Sequence, residues 1–275
     1  MMTISTGTTS RNGTTQFKPF IFWDGEECKD AGYCLFGASV GGNSPQEFPD
    51  QYIQSPHLPT HAMLELLCDV ASEYPGSCHS AFSFDYDVNQ ILKDLSWREL
   101  IILRRTGKTK WEQYEITHIP HKIFRVKDAD RKVTVRIDDS FSFFRCRYDK
   151  ALQKYGVGDK RVVESISAGK DARTDFWYKD IDYIRSYWDK EVSLGCELMD
   201  QIRTMAANAG FHVKHWYGPG AFAAYSLAQN RADKIMAQAV TRDGAPYSVP
   251  AEVRVAALNA YAGGWFERFQ MGMVT

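Results

Sequence analysis

The stretch F-I-F-W at residues 20–23 constrains this chain more than any other, because it reads as a β-strand that is apolar on both faces. Such a strand must be covered above and below, so the chain needs helices packed on both sides of a sheet. Y-C-L-F-G-A-S-V at 33–40 follows the turn D-A-G and predicts a neighbouring strand in a hairpin. Asp24 and Glu26 close the first run, two residues apart, and so project to one face of an extended chain with Gly25 between them. Two like charges side by side at a buried strand's end want a cation. The plainer use of an isolated D-x-E is a solvated strand end before a turn.

The remaining pattern extends the same architecture. Thr60 opens a helical periodicity through Leu64, Leu67, Val70 and Ala71. S-C-H-S-A-F-S-F-D-Y-D then predicts a short strand that gives way to a helix, V-N-Q-I-L-K-D-L, at Asp85 to Asp87. From Trp111, W-E-Q-Y-E-I-T-H-I alternates as one strand, and K-I-F-R-V and K-V-T-V-R-I-D flank the turn D-A-D-R to complete an antiparallel meander. D-S-F-S-F-F reads as the end of that strand. A helix through Ala151 and Leu152 stops at Gly156, a loop rich in Gly, Asp and Lys follows, and a long helix runs from about 179 to 209. W-Y-G-P-G marks a turn before a short helix at 221–229. The expectation is an α/β fold with a mixed sheet flanked by helices: a disordered polar tail at 1–17, the main body at 18–209 and a small helical extension at 210–275.

Composition bounds the function without choosing it. With 44% hydrophobic residues, the 275-residue chain has ample material for a core. Lys and Arg number 33 against 34 Asp and Glu, so any nucleic-acid contact must come from a local patch. Six scattered cysteines without a C-x-x-C pair favour free thiols in a reducing cytoplasm. No secretory leader stands at the start and no apolar run approaches about 18 residues, so no membrane partner is expected.

Two further acidic elements accompany Asp24 and Glu26. Asp85 and Asp87 stand at a strand–helix junction, where chemistry collects in α/β sheets, although Asp87 also suits an ordinary helix N-cap. Tyr187 and Glu191 are four apart on a helical face that Leu194 and Leu198 continue, and a carboxylate on an apolar face is costly unless something positive meets it. Tyr178 and Asp182 share the same spacing. Residue type favours the Asp182 pair, whereas helical register favours Glu191, because Asp182 is followed by Tyr183, Arg185 and Ser186 and suits a helix N-terminus beside Asp180. The pairs His57/His61, His118/His121 and His212/His215 lack a Cys at zinc-site spacing. G-V-G-D-K at 156–160 lacks the ending of a P-loop, and R-R-T-G-K-T-K at 104–110 reads as a solvated turn able to meet phosphates.

In their order along the chain, W-D-G-E, F-D-Y-D-V-N-Q-I-L-K-D-L and Y-x-x-x-E-V-x-L resemble the Exo I, Exo II and Exo III motifs of the DEDD-type 3′–5′ exonuclease region of family B DNA polymerases, in the phage and plasmid polymerase-like group. D-S-F-S-F-F, W-Y-G-P-G-A and A-Y-A-G-G-W-F-E-R-F extend the resemblance over nearly all of the chain after the tail. It implies a ribonuclease-H-like fold whose carboxylates hold two ions, Mg²⁺ or Mn²⁺, and which hydrolyses the 3′ end of single-stranded DNA or a frayed primer. Carried over residue by residue, Asp24 and Glu26 match the first motif, Asp87 the second, and Tyr187 the tyrosine that orients the attacking water. Glu191 takes the fourth carboxylate position, where Asp is usual. Ser83 stands nearest to a common Asn, with Asp85 as an alternative ligand. Phe84 and Tyr86 are candidate platforms for unpaired bases.

Tyr261, Gly263 and Gly264 resemble the Y-x-G-G motif that contacts template DNA, with Trp265 in place of the usual Arg. No polymerase motif follows, which implies a fragment or a split gene, a polymerase domain in cis or in trans, and a host-cell cytoplasmic setting. A free-standing DNA or RNA exonuclease and a non-catalytic DNA-binding module are the rival readings.

Overall fold

The computed structural model describes residues 8–9, 15–16, 18–41 and 51–230. Thr8–Thr9 (β1) and Thr15–Gln16 (β2) pair antiparallel. The described residues from Phe20 on form an eight-stranded mixed sheet flanked by helices. Its strands are Phe20–Cys28 (β3), Gly32–Val40 (β4), Gln51–Gln54 (β5), Cys78–Ala81 (β6), Lys108–Trp111 (β7), Tyr114–Ile119 (β8), Ile123–Asp128 (β9) and Val133–Asp139 (β10). Their spatial order is β5-β4-β3-β6-β10-β9-β8-β7. β6 runs parallel to both of its neighbours, β3 and β10, and every other pairing is antiparallel.

The double-sided apolarity of β3 is used on both faces. Phe20 and Phe22 belong to one core with residues of α4 (Phe141–Phe144), α5 (Tyr148–Tyr155), α6 (Lys160–Ala172) and α7 (Ile181–Asn208). Ile21 and Trp23 belong to the other, with α1 (Thr60–Glu73), α2 (Asp85–Ile91), α3 (Trp97–Thr106) and the meander strands. The period-2 alternation of the strand therefore assigns Asp24 and Glu26 to the α7 side.

Several expectations are revised in detail. β3 does not end at Asp24 but continues to Cys28, because β4 keeps pairing with it: Asp24 faces Gly37 and Glu26 faces Leu35, with a register shift only between Glu26 and Glu27. Trp111 ends β7 and Tyr114–Ile119 forms β8, the two strands being joined in a hairpin at Glu112, which adopts a positive φ of 50°. D-S-F-S-F-F closes β10 and then forms the short helix α4. The segment expected as a loop after Gly156 contains α6, whose N-cap Asp159 accepts hydrogen bonds from the N–H groups of Arg161 and Val162. α3, absent from the sequence reading, opens with a capping box between Ser96 and Glu99 and ends at Gly107 in the left-handed conformation.

α7 lies close against β3. A Cβ on Gly195 would stand 2.3–2.5 Å from the Phe22 ring, so only glycine lets the helix approach to this distance. One compact unit extends to Tyr225, so the boundary expected at 209/210 falls inside it: Trp216 is buried in the α7-side core and its N–H donates to Asp138 Oδ2 at 2.6 Å. A second unit starts at Ser226; its described residues, 226–230, contain the end of α8 (Gly220–Gln229), and Asn230 N–H donates to the Ser226 carbonyl. Tyr261, Gly263, Gly264 and Trp265 lie outside the described residues, as does most of the polar tail at 1–17. No helix among the described residues is long and apolar enough to cross a membrane.

Candidate functional site

β3 runs on past the end of β6: their parallel register stops at Trp23 opposite Ala81. Asp24 and Glu26 thus project beyond the carboxyl end of the shorter strand, where crevices open in α/β sheets. The chain leaving β6 passes Ser83, held at φ 59° with its N–H donating to Asp139 Oδ1 at 2.9 Å, and enters α2. Asp87 sits in the first turn of α2 and not at its N-cap, which is Phe84; its carboxylate accepts a 2.8 Å hydrogen bond from the buried Tyr33 hydroxyl. α7 supplies Glu191 from the opposite wall, and its Trp188 Nε1 donates to the Asp24 carbonyl at 3.1 Å. Asp24, Glu26, Asp87 and Glu191 all line one cavity of about 800 Å³.

Carboxylate oxygens of Asp24, Glu26 and Glu191 lie within 4.8 Å of one another. Burying like charges this closely penalises ionisation, first through lost hydration and then through mutual repulsion. Burial pushes Asp24 well above the usual carboxylate range, with Glu191 and Asp87 adding to it. Burial likewise raises Glu26 to about 7, against the pull of Arg173, and Asp87 to about 6, against the hydrogen bond from Tyr33. Burial would raise Glu191 too, but Lys170 and Arg173 together hold it below its ordinary value.

The cations come from α6 and its end. Lys170 Nζ binds Glu191 Oε1, and Arg173 Nη2 donates to Glu26 Oε1 and Glu191 Oε2, both at 3.0 Å. The segment beyond α6 is tied to the β3–β4 turn by Lys29 N–H to the Phe176 carbonyl, the Lys29–Asp175 ion pair, and Tyr178 N–H to Asp30. Tyr148 of α5 donates to the Glu191 carbonyl at 2.7 Å, which fixes α7 from a third side. Tyr33, Tyr148, Lys170 and Arg173 were missed in the sequence. The Asp159 cap and the three-residue spacing of Val163 and Ile166 were the available signal for the helix that carries the last two, though not for their role.

Two polar side-chain atoms at the site are buried without a hydrogen-bond partner: Asp24 Oδ2 and Arg173 Nε. An all-oxygen donor set with an orphaned carboxylate oxygen suits a hard divalent cation. Tyr187 packs beside Glu191 with its hydroxyl raised far above the ordinary range, by burial and then by the Glu191 charge, so it is a neutral O–H.

The other sequence candidates distribute differently. Asp182 is an exposed first-turn residue of α7 paired with Arg185 at 3.1 Å, away from the cavity lining. Asp85, considered as an alternative ligand, turns to His118 and to the ring and N–H of His121. Asp85, His121 and Asp139 form a second acidic group, but Asp139 is occupied by the N–H groups of Ser83, Phe84 and Phe141, which makes it a fastener for the β6–α2 connection. The pairs His57/His61 and His212/His215 join no group of three ligands among the described residues. The stretch at 104–110 ends α3 and forms β7, outside the cavity lining.

Tyr86 is half exposed at the cavity, its hydroxyl bound to Glu27. Phe84 is not a stacking platform: it is 3% exposed, packed with Phe124 in the core on the other side of the sheet. No family model matches this chain, and neither does any curated protein or solved structure.

Proposed function

We propose that this chain is a metal-dependent 3′–5′ exonuclease of ribonuclease-H-like fold, the proofreading portion of a family B DNA polymerase, acting on single-stranded or frayed DNA ends. The observation that carries the proposal is the convergence of three buried carboxylates, Glu26, Asp87 and Glu191, and the partly buried Asp24 from three separate elements, β3, α2 and α7, in one cavity. The sheet supports the fold reading: an antiparallel unit, β5-β4-β3, is continued by two strands parallel to β3, namely β6 and β10.

Asp24, Glu26, Asp87 and Glu191 would hold Mg²⁺ or Mn²⁺. Such ions supply Lewis acidity at a phosphodiester, activating water and stabilising the leaving 3′ oxygen. The chain's own residues do the rest. The Tyr187 hydroxyl lies buried against the Glu191 carboxylate, where it is placed to orient a water. Tyr33 holds Asp87, Trp188 holds α7 against β3 and Tyr148 ties α7 to α5, so the carboxylates are set before substrate arrives. Lys29, paired with Asp175, and Arg147, paired with Asp149 and Asp171, line the same cavity, and Tyr86 offers a ring face to an unpaired base.

The test is shortening of a 5′-labelled single-stranded oligonucleotide in Mn²⁺. Asp24→Ala and Asp87→Ala are each expected to slow 3′-end removal by roughly a hundredfold or more, since each deletes an oxygen donor without touching the apolar core. Unchanged laddering in both variants refutes the site. A folded wild-type chain that binds the oligonucleotide and never shortens it favours the non-catalytic rival.

A further inference from the structure

We propose that the Arg173 guanidinium and a divalent cation compete for the same carboxylate oxygens, so that Arg173 sets the metal concentration at which the site fills. The inference rests on the metal-dependent reading of the cavity. A single nitrogen, Arg173 Nη2, stands 3.0 Å from Glu26 Oε1, 3.0 Å from Glu191 Oε2 and 3.6 Å from Asp24 Oδ2. These residues are the three whose oxygens lie within 4.8 Å of one another. The guanidinium therefore fills the point where their oxygens converge. A Mg²⁺ ion bound there would sit about 2.1 Å from the same oxygens, leaving no room for the nitrogen and placing two positive centres nearly in contact.

The way Arg173 is held suits a removable plug more than a permanent ion pair. Arginine–carboxylate pairs are frequently bidentate, with two parallel bonds from the planar fork to one carboxylate. Here one nitrogen bridges two carboxylates, and Nε is buried with no partner at all. Arg173 also stands where α6 gives way to the 3-10 turn Arg173–Asp175, with its side chain 37% exposed and opening onto the cavity. Lys170 is more enclosed, at 16%, and binds Glu191 alone, so it can stay in place when the guanidinium leaves. Glu191 would then keep one neutralising partner besides the ion.

The experiment is calorimetric titration of Mn²⁺, without DNA, into the wild-type chain, Arg173→Gln, Arg173→Lys and Asp24→Ala. Removing the competitor is expected to tighten Mn²⁺ binding by roughly tenfold or more in Arg173→Gln. Arg173→Lys, with a compact ammonium on a shorter reach, is expected to fall between the two. In parallel, Arg173→Gln should melt below the wild type in chelator and gain more from Mn²⁺. Wild-type or weaker affinity in Arg173→Gln overturns the competition; if that variant does not fold, equal affinity in Arg173→Lys and the wild type overturns it. Wild-type binding that is lost in Asp24→Ala keeps the metal site even when the competition fails. Absence of binding in every variant overturns both.

Discussion

Glu26→Gln should make the protein more stable at pH 8 while depriving it of a metal ligand. Burial lifts the Glu26 carboxyl from 4.5 to about 7, with Glu191 adding to the shift and Arg173 opposing it. Between those values the folded chain keeps a proton that the unfolded chain has released. The folded state thus binds more protons, and stability falls as pH rises through the window. The contribution present in full below 4.5 is gone above 7. At about 1.4 kcal/mol per pKa unit, the displacement corresponds to about 3 kcal/mol, an upper bound because Arg173 loses a partner when the carboxylate goes.

Glutamine imitates the protonated side chain at every pH and carries none of this slope. Urea denaturation followed by tryptophan fluorescence, in chelator, tests the argument. The midpoint of Glu26→Gln should exceed that of the wild type at pH 8, and the two should nearly coincide at pH 5. Adding Mn²⁺ at pH 8 should stabilise the wild type, by about 2.7 kcal/mol at a hundredfold excess over Kd, and the variant much less. A variant no more stable than the wild type at pH 8, or a difference unchanged between the two pH values, would refute the claim that Glu26 is ionised at a cost.

Glu191→Gln should lose most Mn²⁺ binding and strand shortening, whereas Asp182→Asn should keep both, because Glu191 faces the cavity and Asp182 is 85% exposed beside Arg185; the opposite ranking in a paired titration moves the fourth ligand upstream. Gly195→Ala should cost about 1–3 kcal/mol despite alanine's better helix propensity, since its Cβ would overlap the Phe22 ring and push α7 off β3. Mn²⁺ affinity should fall with it, as Glu191 lies one turn before the clash; unchanged urea midpoint and affinity would show that the helix yields freely.

What the sequence made legible follows from which periodicities are local. Asp24 and Glu26 were readable as a same-face pair because strand alternation needs no tertiary information, and the structure sets both on the α7 side of β3. Glu191 followed from the 3.6-residue register with Leu194 and Leu198, and α7 does bury that face. Helices α3 and α6 were obscured for different reasons. In α3 the run Arg104–Lys110 has the composition of a solvated turn, although Ser96 and Glu99 already carried the capping pattern. In α6, Val162, Val163, Ser165, Ser167 and Gly169 dilute helix propensity; the element is helical because Val163 and Ile166 are buried in the α7-side core.

Missing α6 also hid the cations, and no local pattern would have exposed their role. Arg173 and Glu26 are 147 residues apart, and their pairing exists only because α6, α7 and β3 meet at one cavity. The acidic half of the site is thus written in short motifs, since each carboxylate must leave its own element at a fixed register. The basic half is set by packing: where Tyr187 leaves room only for the hydrogen of Gly169, α6 can lie close enough for Lys170 and Arg173 to reach Glu191.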